Sequence, residues 1–308
     1  MSRGGTLRVG RHTVELSNLD KVLFPDAGVT KADLVTYYHE IADRMLPYLA
    51  GRPVSMHRFP DGIDAQGFYQ KEIGDYFPDW IGRVTVKKKG GEVTHVVCRN
   101  AATLVYLANQ ACITPHVWLS REDRLDHPDR MIFDLDPPGD DFAPVRRAAR
   151  ATRRLLEELD LPAFAMTTGG RGVHVVVPLD RGAGFDTARA FARDVAELAA
   201  RRDPAEFTTE PRKAKRKGRL FLDTARNAYA QTAVPPYAVR PRAGAPVAMP
   251  IGWDELGNSR LRGDTYHVRN AFRRLDRVDD PWKGIARRAR SLKGPREKLD
   301  AIVEEEGP

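Results

Sequence analysis

The chain has 308 residues, of which 42% are hydrophobic and 30% are charged, a balance that excludes a disordered chain, a collagen-like repeat and a coiled coil. Its 50 Lys and Arg residues outnumber its 42 Asp and Glu residues, for a net charge of +8, which favours a polyanionic partner without specifying a fold. No run of about 18 apolar residues occurs, so we expect neither a membrane span nor a membrane partner.

The cysteine content points to a reducing compartment. Cys98 and Cys112 are the two cysteines of the sequence, and no CxxC pair occurs. This excludes a disulfide framework and a cysteine-rich zinc module. The first residues lack the apolar core of a signal peptide, so we expect a cytoplasmic protein with reduced thiols.

The first third of the sequence predicts strands around two helices. Thr30 begins a capping-box pattern, and apolar residues at helical spacing carry the first helix to about Ala50. Residues 54–99 predict strands and turns, including a hairpin that turns at residues 87–91. Residues 101–112 predict a buried helix.

The rest of the sequence alternates strands with amphipathic helices. In chain order we predict a strand over 130–136, a helix over 143–159, strands over 163–167 and 173–178, a helix over 186–201, a strand over 219–223, a helix over 266–275 and a charged C-terminal helix. This mixture predicts an α+β (mixed α/β) fold around a central antiparallel or mixed sheet.

The strand that ends in Asp134-Leu135-Asp136 carries the clearest chemical signal. Side chains alternate along a strand, so Asp134 and Asp136 share one face. A divalent cation would remove the repulsion between two neighbouring carboxylates and gain hard oxygen ligands. The alternative is a solvated strand end that carries two surface acids.

A glycine-rich turn follows, with the sequence Thr168-Gly169-Gly170-Arg171-Gly172-Val173-His174. Glycines let backbone N–H groups approach an anion closely, and Thr168, Arg171 and His174 add side-chain donors. The alternative is a tight turn in which Arg171 is simply exposed.

Asp223 ends another apolar strand, and it could complete a metal site with Asp134 and Asp136. Three carboxylates that hold two metal ions are a common solution for nucleotidyl transfer. Because an isolated acid at a strand end is more often structural, the prediction depends on the combination of all three.

Several basic residues are candidate phosphate ligands. Lys21 and Lys31 flank a turn, and Arg240 and Arg242 alternate along a segment that we predict to be extended, so each pair could face one anion. Six of the eight residues in 212–219 are basic, which fits either a phosphate-binding loop or a solvated charge run.

Two aromatic residues and a histidine complete the candidates. Phe68 and Tyr69 lie near a predicted loop and could stack on bases, although such a pair is more often part of a core. His116, about 20 residues before Asp136, could donate to a triphosphate or be an ordinary hydrogen-bonded histidine.

In this order the segments resemble the polymerase domain of bacterial DNA ligase D, an archaeo-eukaryotic primase-like module of non-homologous end joining. The resemblance covers about residues 10–280. The matching segments are Leu19–Pro25, Thr30-Lys31, Gly51-Arg52-Pro53, Phe68–Lys71, His116-Val117-Trp118, Phe133–Pro137, Thr168–His174, Leu222-Asp223, and Pro236-Tyr237 with Arg240 and Arg242.

The resemblance implies a role for each candidate residue. Metal binding and catalysis are implied for Asp134, Asp136 and Asp223; nucleotide binding for His116, Thr168, Arg171, Gly172, His174, Arg240 and Arg242; binding of a DNA 5′-phosphate for Lys21 and Lys31; and base stacking for Phe68 and Tyr69. The implied cofactor is a pair of Mn²⁺ or Mg²⁺ ions, and family members often favour ribonucleotides.

The sequence departs from the family pattern at three positions. Thr168 replaces the usual serine and Arg171 the frequent lysine, so the hydroxyl and the cation are both retained. His57 stands where the family usually has a basic residue, which weakens any template contact there.

The implied organisation is one primase-polymerase-like domain over residues 1–283. It comprises an N-terminal β-containing subregion (1–115) and a catalytic core of sheet and helices (116–283), followed by a charged helix over 284–308. No KxDG adenylation motif occurs, so we expect a stand-alone polymerase or an excised domain. The implied partners are nucleoid DNA with gaps or broken ends, NTPs or dNTPs, the end-binding protein Ku and a separate ligase.

Two other functions fit parts of the sequence. A manganese-dependent glycosyltransferase would use the two acids at 134 and 136, but the basic segments would have no role in it. A non-catalytic DNA-end-binding module would use the basic surface alone, although intact acids at 134, 136 and 223 argue against it.

Overall fold

A computed structural model of the chain describes residues 4–88 and 90–307, and we number its elements in chain order. The strands are β1 (Gly5–Val9), β2 (His12–Leu16), β3 (Val22–Phe24), β4 (Val29–Thr30), β5 (Pro53–Arg58), β6 (Phe68–Gln70), β7 (Gly82–Lys88), β8 (Gly91–Val97), β9 (Cys112–Trp118), β10 (Ser120–Arg121), β11 (Arg124–Pro128), β12 (Arg130–Asp136), β13 (Phe164–Thr167), β14 (Val173–Pro178), β15 (Phe207–Thr208), β16 (Leu220–Asp223), β17 (Thr232–Ala233) and β18 (Met249–Ile251). The α-helices are α1 (Lys31–Glu40), α2 (Ala42–Leu49), α3 (Ala101–Asn109), α4 (Ala143–Glu158), α5 (Phe185–Arg202), α6 (Ala271–Leu275) and α7 (Lys293–Glu306). Among the described helices, none is long and apolar enough to cross a membrane.

The chain forms two compact units, and each draws on separated parts of the sequence. Unit 1 comprises Met1–Asp123, Thr232–Ala248 and Tyr266–Asp276. Unit 2 comprises Arg124–Gln231, Met249–Thr265 and Arg277–Pro308. The predicted single domain over 1–283, with its internal boundary at 115/116, stays a prediction.

Unit 1 is built on an antiparallel sheet in the order β17-β9-β5-β8-β7, and β6 also pairs with β5. Its core includes Tyr37 and Tyr38 of α1, both fully buried. Their hydroxyls donate to the backbone carbonyls of Tyr237 and Ile113, so the polar end of each ring has a partner inside the core.

The predicted helix over 31–50 is two helices, because the chain breaks at Ile41. Thr30 caps α1 in a complete capping box, as the sequence indicates. Pro47 lies inside α2, where it lacks an N–H and crowds the preceding turn. The predicted helix over 101–112 ends earlier, at Asn109, because Ala111 adopts a positive φ of 54° before β9 begins.

Unit 2 is built on a six-stranded sheet in the order β15-β16-β12-β14-β13-β18. Every pairing is antiparallel except β15 with β16. Helices α4 and α5 pack against β12, β16 and each other. The predicted α+β class with a central mixed sheet is therefore confirmed.

Most predicted elements of unit 2 have the expected bounds. The strands over 130–136 and 173–178 match residue for residue, and the helix over 143–159 differs by one residue. The helix predicted over 266–275, which belongs to unit 1, is shorter and spans Ala271–Leu275. In unit 1 the hairpin of β7 and β8 is present, although residue 89 of its turn lies outside the described residues.

Arg52 closes the bend between α2 and β5 in unit 1. It is fully buried, its Nε donates to the Tyr48 carbonyl at 3.0 Å, and its Nη1 donates to the Trp118 carbonyl at 3.1 Å and the Ser120 carbonyl at 3.4 Å. Gly51, with φ of 75°, supplies the left-handed residue that the bend requires. The Gly51-Arg52-Pro53 motif is therefore a structural corner.

We expect Arg52→Lys to lower the free energy of unfolding by about 2 kcal/mol, because one ammonium group cannot reach all three carbonyls that the guanidinium bonds. Chemical denaturation monitored by circular dichroism measures the change. Arg8→Lys, at an exposed position, is the matched control. A loss below about 0.5 kcal/mol for Arg52→Lys would contradict this account.

Candidate active site on the central sheet

Three carboxylates meet on one face of the unit 2 sheet. Asp134 of β12 lies directly opposite Asp223 of β16 in the antiparallel register. Asp136 is two residues further along β12 and so lies on the same face as Asp134. The intervening Leu135 is fully buried on the opposite face. The three acids that the sequence identifies are thus neighbours, although Asp223 comes almost 90 residues after the other two.

These carboxylates repel one another. Although much of the Asp136 residue is exposed, partial burial and the nearby carboxylates of Asp134 and Asp223 raise the pKa of Asp136. Arg216 and His174 oppose the rise more weakly. Because the neighbouring carboxylates destabilise one another's charged forms, a cation bound among them would be stabilising.

Two nitrogen-bearing side chains lie beside Asp134. His174 is its cross-strand partner on β14, with Nε2 at 3.5 Å from Oδ2, and Arg226 has its Nε at 3.8 Å from the same oxygen. His174 is almost fully buried. His174 therefore lies beside an acid of the cluster, while its role as a nucleotide ligand stays a prediction.

The donor set fits a hard divalent cation, since the acids offer oxygen atoms and their mutual repulsion disfavours the charged, metal-free state. Within residues 4–88 and 90–307, however, no three His, Cys, Asp or Glu side chains are arranged to hold a metal ion as they stand. The acids are adjacent by register, and their role as ligands remains a prediction.

The glycine-rich turn lies against the same strand. A Cβ on Gly172 would lie 2.4 Å from the Leu135 carbonyl oxygen, so only glycine permits this approach to β12. Thr168 closes the turn, since its backbone N–H and its hydroxyl both donate to the Gly172 carbonyl, at 3.2 and 3.1 Å. Gly169 adopts a positive φ of 64° and donates to the Gly263 carbonyl.

Arg171 projects outward from the tip of this turn. Its side chain is half-exposed, and its Nη1 lies 3.7 Å from a carboxylate oxygen of the exposed Asp140. Such an exposed pair contributes little to stability, so the guanidinium can exchange this partner for another anion.

The remaining candidate nucleotide ligands belong to unit 1. His116 lies on β9, and its ring centroid is 5.6 Å from that of Tyr69 and 6.0 Å from that of His57. Burial, and then the Arg240 cation, lower the pKa of His57 to about 4. His57 is therefore neutral at pH 7, unlike the basic residue that the family usually has there.

The segment that carries Arg240 and Arg242 is turned, not extended as the sequence predicts. The Arg242 N–H donates to the Arg240 carbonyl at 2.9 Å, which reverses the chain locally. Arg240 is partly buried and Arg242 is exposed. The two guanidinium groups therefore lie in different environments. The sequence-based argument that both would face one anion because they alternate along an extended segment does not apply.

Lys21 and Lys31 are neighbours in unit 1. The Lys31 N–H donates to the Lys21 carbonyl at 2.8 Å. Lys21 forms an ion pair with Asp61 at 2.6 Å. Lys31 is 6% exposed, and burial together with the cations of Lys21 and Arg58 lowers the pKa of Lys31 to about 8. A buried lysine whose proton is destabilised by a neighbouring cation is suited to an anion.

Phe68 and Tyr69 are both exposed, not part of the core. They are consecutive residues of β6, so their rings point to opposite faces. Tyr69 stacks on its cross-strand partner His57, with ring centroids 4.1 Å apart and planes 8° apart. Phe68 lies opposite Arg58, whose Cζ is 5.5 Å from the ring centroid.

With this geometry in place, the relation to known proteins is direct. The sequence matches the family described as LigD, primase-polymerase domain, over residues 30–282. This chain belongs to that family. The family is of the primase-polymerase type, so the chain is a nucleotidyltransferase of that type, and the glycosyltransferase alternative is not supported.

Curated members of the LigD family show the extent of the likeness. The multifunctional non-homologous end joining DNA repair protein LigD of Mycobacterium tuberculosis is 36% identical over 262 residues, which cover 82% of this chain and 34% of that protein. The multifunctional LigD of Pseudomonas aeruginosa is 33% identical over 305 residues, covering 97% and 35%. The chain thus spans about a third of the length of these relatives.

A solved structure of the LigD family has the same fold. The polymerase domain from Mycobacterium tuberculosis ligase D, in complex with DNA, superposes with a TM-score of 0.84 at 34% identity. The match covers 90% of this chain and 99% of that one. The resemblance drawn from the sequence motifs is therefore confirmed at the level of family and fold.

Sequence reasoning missed a residue that positions Asp134 in this LigD family member. Asn227 is buried, and its side-chain amide bonds both backbone groups of Ile132: Oδ1 accepts from the N–H at 2.8 Å and Nδ2 donates to the carbonyl at 2.7 Å. Strand β16 pairs with β12 only over Asp134–Asp136, so Asn227 continues the ladder where the strand stops. Its signal in the sequence is only its place four residues after Asp223.

We expect Asn227→Ala to lower the free energy of unfolding by about 1–3 kcal/mol, because it leaves a buried N–H and a buried carbonyl of Ile132 unpaired. Urea denaturation measures the change. Asn258→Ala, at an exposed turn position, is the control and should cost less. Equal stabilities for the Asn227 variant and the wild type would show that the amide bridge is not needed.

Proposed function

We propose that this chain is a template-directed nucleotidyltransferase that adds NTPs, with a preference for ribonucleotides, to DNA 3′ ends at gaps or breaks. The observation that carries the proposal is the register of β12 and β16, which aligns Asp134 with Asp223 on the face that also bears Asp136. We further propose that it acts in DNA repair such as non-homologous end joining, the process named in its curated relatives.

The three acids would hold two divalent cations, Mn²⁺ or Mg²⁺, which supply activation of the attacking 3′-hydroxyl and charge neutralisation of the triphosphate. The protein's own contribution is to fix the carboxylates in advance. Strand pairing and the Asn227 bridge hold the backbone of Asp134, so little rearrangement of the main chain is needed for catalysis.

Unit 2 would bind part of the incoming nucleotide through its glycine-rich turn. The ion pair of Arg171 with Asp140 is exposed, so Arg171 can exchange Asp140 for a phosphate. Gly172 has no side chain to cover the backbone beside β12. Thr168 and His174 would contribute as donors, with His174 next to Asp134. A turn of this composition suits a polyphosphate because it offers both N–H groups and a cation.

Unit 1 carries further candidate phosphate ligands and the candidate DNA contacts. His116, Arg240 and Arg242 would bind phosphate oxygens, and Tyr69, supported on the ring of His57, would stack on a base. Phe68 would stack on the opposite face of β6. Lys21 and Lys31 would hold the 5′-phosphate of a downstream strand.

The wider cellular setting is also a proposal. We infer a nucleoid-associated role on DNA in the cytoplasm, with Ku and a separate DNA ligase as partners. We also keep residues 1–283 as one functional domain, divided at 115/116, with 284–308 as an appended charged helix. The net charge of +8 supports the inference of a DNA partner.

We expect Asp134→Ala to reduce extension of a primed template by at least about a hundredfold, while the affinity for DNA stays near that of the wild type. The reason is that the variant loses a cation ligand but no cationic side chain. Primer extension with Mn²⁺ and with Mg²⁺ measures activity, and fluorescence anisotropy measures binding. Asp279→Ala, at an exposed position, is the control. Normal extension by Asp134→Ala would refute the catalytic role of the acids, and DNA binding without any extension by the wild type would favour a non-catalytic end-binding module.

We expect Lys21→Ala/Lys31→Ala to weaken binding to gapped DNA that bears a downstream 5′-phosphate more than binding to the dephosphorylated DNA.

We also expect the preference of the wild type for 5′-phosphorylated over dephosphorylated gapped DNA to fall between pH 7 and pH 9.5. Lys31, whose pKa is about 8, loses its proton in that range, whereas a phosphate monoester with a second pKa near 6 stays dianionic.

The matched control for the pH experiment is Lys31→Arg, because a guanidinium remains charged up to about pH 12. This variant should keep a constant preference for the 5′-phosphate across the range. Equal losses on phosphorylated and dephosphorylated DNA for the double variant would remove the 5′-phosphate role from the lysine pair.

A further inference from the structure

Tyr76 is an exposed aromatic side chain in unit 1 to which neither the family motifs nor the proposed function gives a role. It is 58% exposed, and Phe68 of β6 is 45% exposed. Single exposed aromatic residues are common on protein surfaces. The position of this tyrosine is unusual because its ring is fixed by three contacts despite its exposure.

Each contact holds a different part of the Tyr76 ring. The hydroxyl accepts a hydrogen bond from Arg58 Nη1 at 3.0 Å. The ring centroid lies 5.0 Å from that of the buried Phe77. The ring edge also covers Gly74, where an added Cβ would lie 2.3 Å from Cε1. The side chain has therefore already lost the rotamer freedom that binding a ligand would otherwise remove.

Arg58 connects Tyr76 to Phe68. The Arg58 guanidinium lies over the Phe68 ring with Cζ at 5.5 Å from its centroid, and it donates to Gln70 Oε1 at 2.6 Å and, through Nε, to the Gln110 carbonyl at 2.8 Å. These bonds fix the guanidinium plane. Phe68, Arg58 and Tyr76 thus form one surface of ring, cation and ring, which we call the Arg58 strip.

The Arg58 strip carries a cation in contact with both of its aromatic rings. The Arg58 cation also acts on Lys31, because it contributes to lowering the pKa of that lysine. Aromatic faces combined with guanidinium groups and lysines match the chemistry of single-stranded nucleic acid, which presents base faces on an anionic backbone.

We propose that the Arg58 strip binds the unpaired bases of a DNA strand, with Tyr76 stacking on one base beyond the base held by Phe68. The proposal rests on the proposed function, since the lysine pair would mark the 5′-phosphate end of the gap. It adds a stacking residue and gives Arg58 the role of a positioning residue that holds both rings.

The test compares two fluorescein-labelled DNA duplexes of the same sequence, each with a downstream 5′-phosphate. One has a gap of five nucleotides and the other has only a nick. Tyr76→Ala should weaken binding to the gapped duplex by about fivefold or more, as expected for the loss of one stacked base, and leave binding to the nicked duplex unchanged. Tyr229→Ala removes another exposed tyrosine and should change neither affinity.

Two further variants separate stacking from other effects. Tyr76→Phe keeps the ring but loses the hydroxyl through which Arg58 holds it, so its affinity for the gapped duplex should lie between those of the wild type and Tyr76→Ala. Gly74→Ala keeps the tyrosine but displaces its ring, so it should resemble Tyr76→Ala. A wild-type affinity of Tyr76→Ala for gapped DNA, an equal loss on both duplexes, or a Tyr76→Phe variant as weak as Tyr76→Ala would each overturn the proposal.

The outcomes also distinguish this inference from the proposed function. Absence of primer extension by the wild type would end the polymerase proposal whatever the binding data show. Unchanged binding of gapped DNA by Tyr76→Ala, together with an inactive Asp134→Ala, would remove the Arg58 strip and leave the polymerase proposal standing.

Discussion

Repulsion between carboxylates is the constraint that organises unit 2. Antiparallel pairing of β12 with β16 puts Asp134 opposite Asp223, and strand periodicity adds Asp136 to the same face. The raised pKa of Asp136 reflects this crowding. Repulsion between these carboxylates destabilises the pairing of β12 with β16, so packing elsewhere in the unit has to offset it. The buried Leu135 and the packing of α4 and α5 on β12 do so.

Glycine and backbone geometry account for the second part of the site. The turn that begins at Thr168 approaches β12 so closely that position 172 has no room for a side chain. The same close approach brings β14 into register with β12, so that His174 lies beside Asp134. One short segment therefore sets both the shape of the turn and the environment of an acid.

Strand periodicity made much of the site predictable from the sequence. The strand of Asp134 and Asp136 matches its predicted bounds, and ordered motifs identified the family. The pairing of Asp223 with Asp134 depends on sheet topology, which local patterns do not encode. The sequence also could not show that the chain turns at Arg240, or that Tyr76 is held against Gly74, because both depend on contacts between distant residues. Lys31 is a similar case, since its low pKa arises from burial that its helix-start position does not reveal.

The bridge from Asn227 to Ile132 has a consequence for sequence variation. Asp223 ends β16, and the side chain that continues the ladder comes four residues later, after a short 3₁₀ turn over Ala225–Asn227. This interval acts as a spacer of fixed length, because an inserted or deleted residue would separate the acid from the amide that aligns its neighbouring strand.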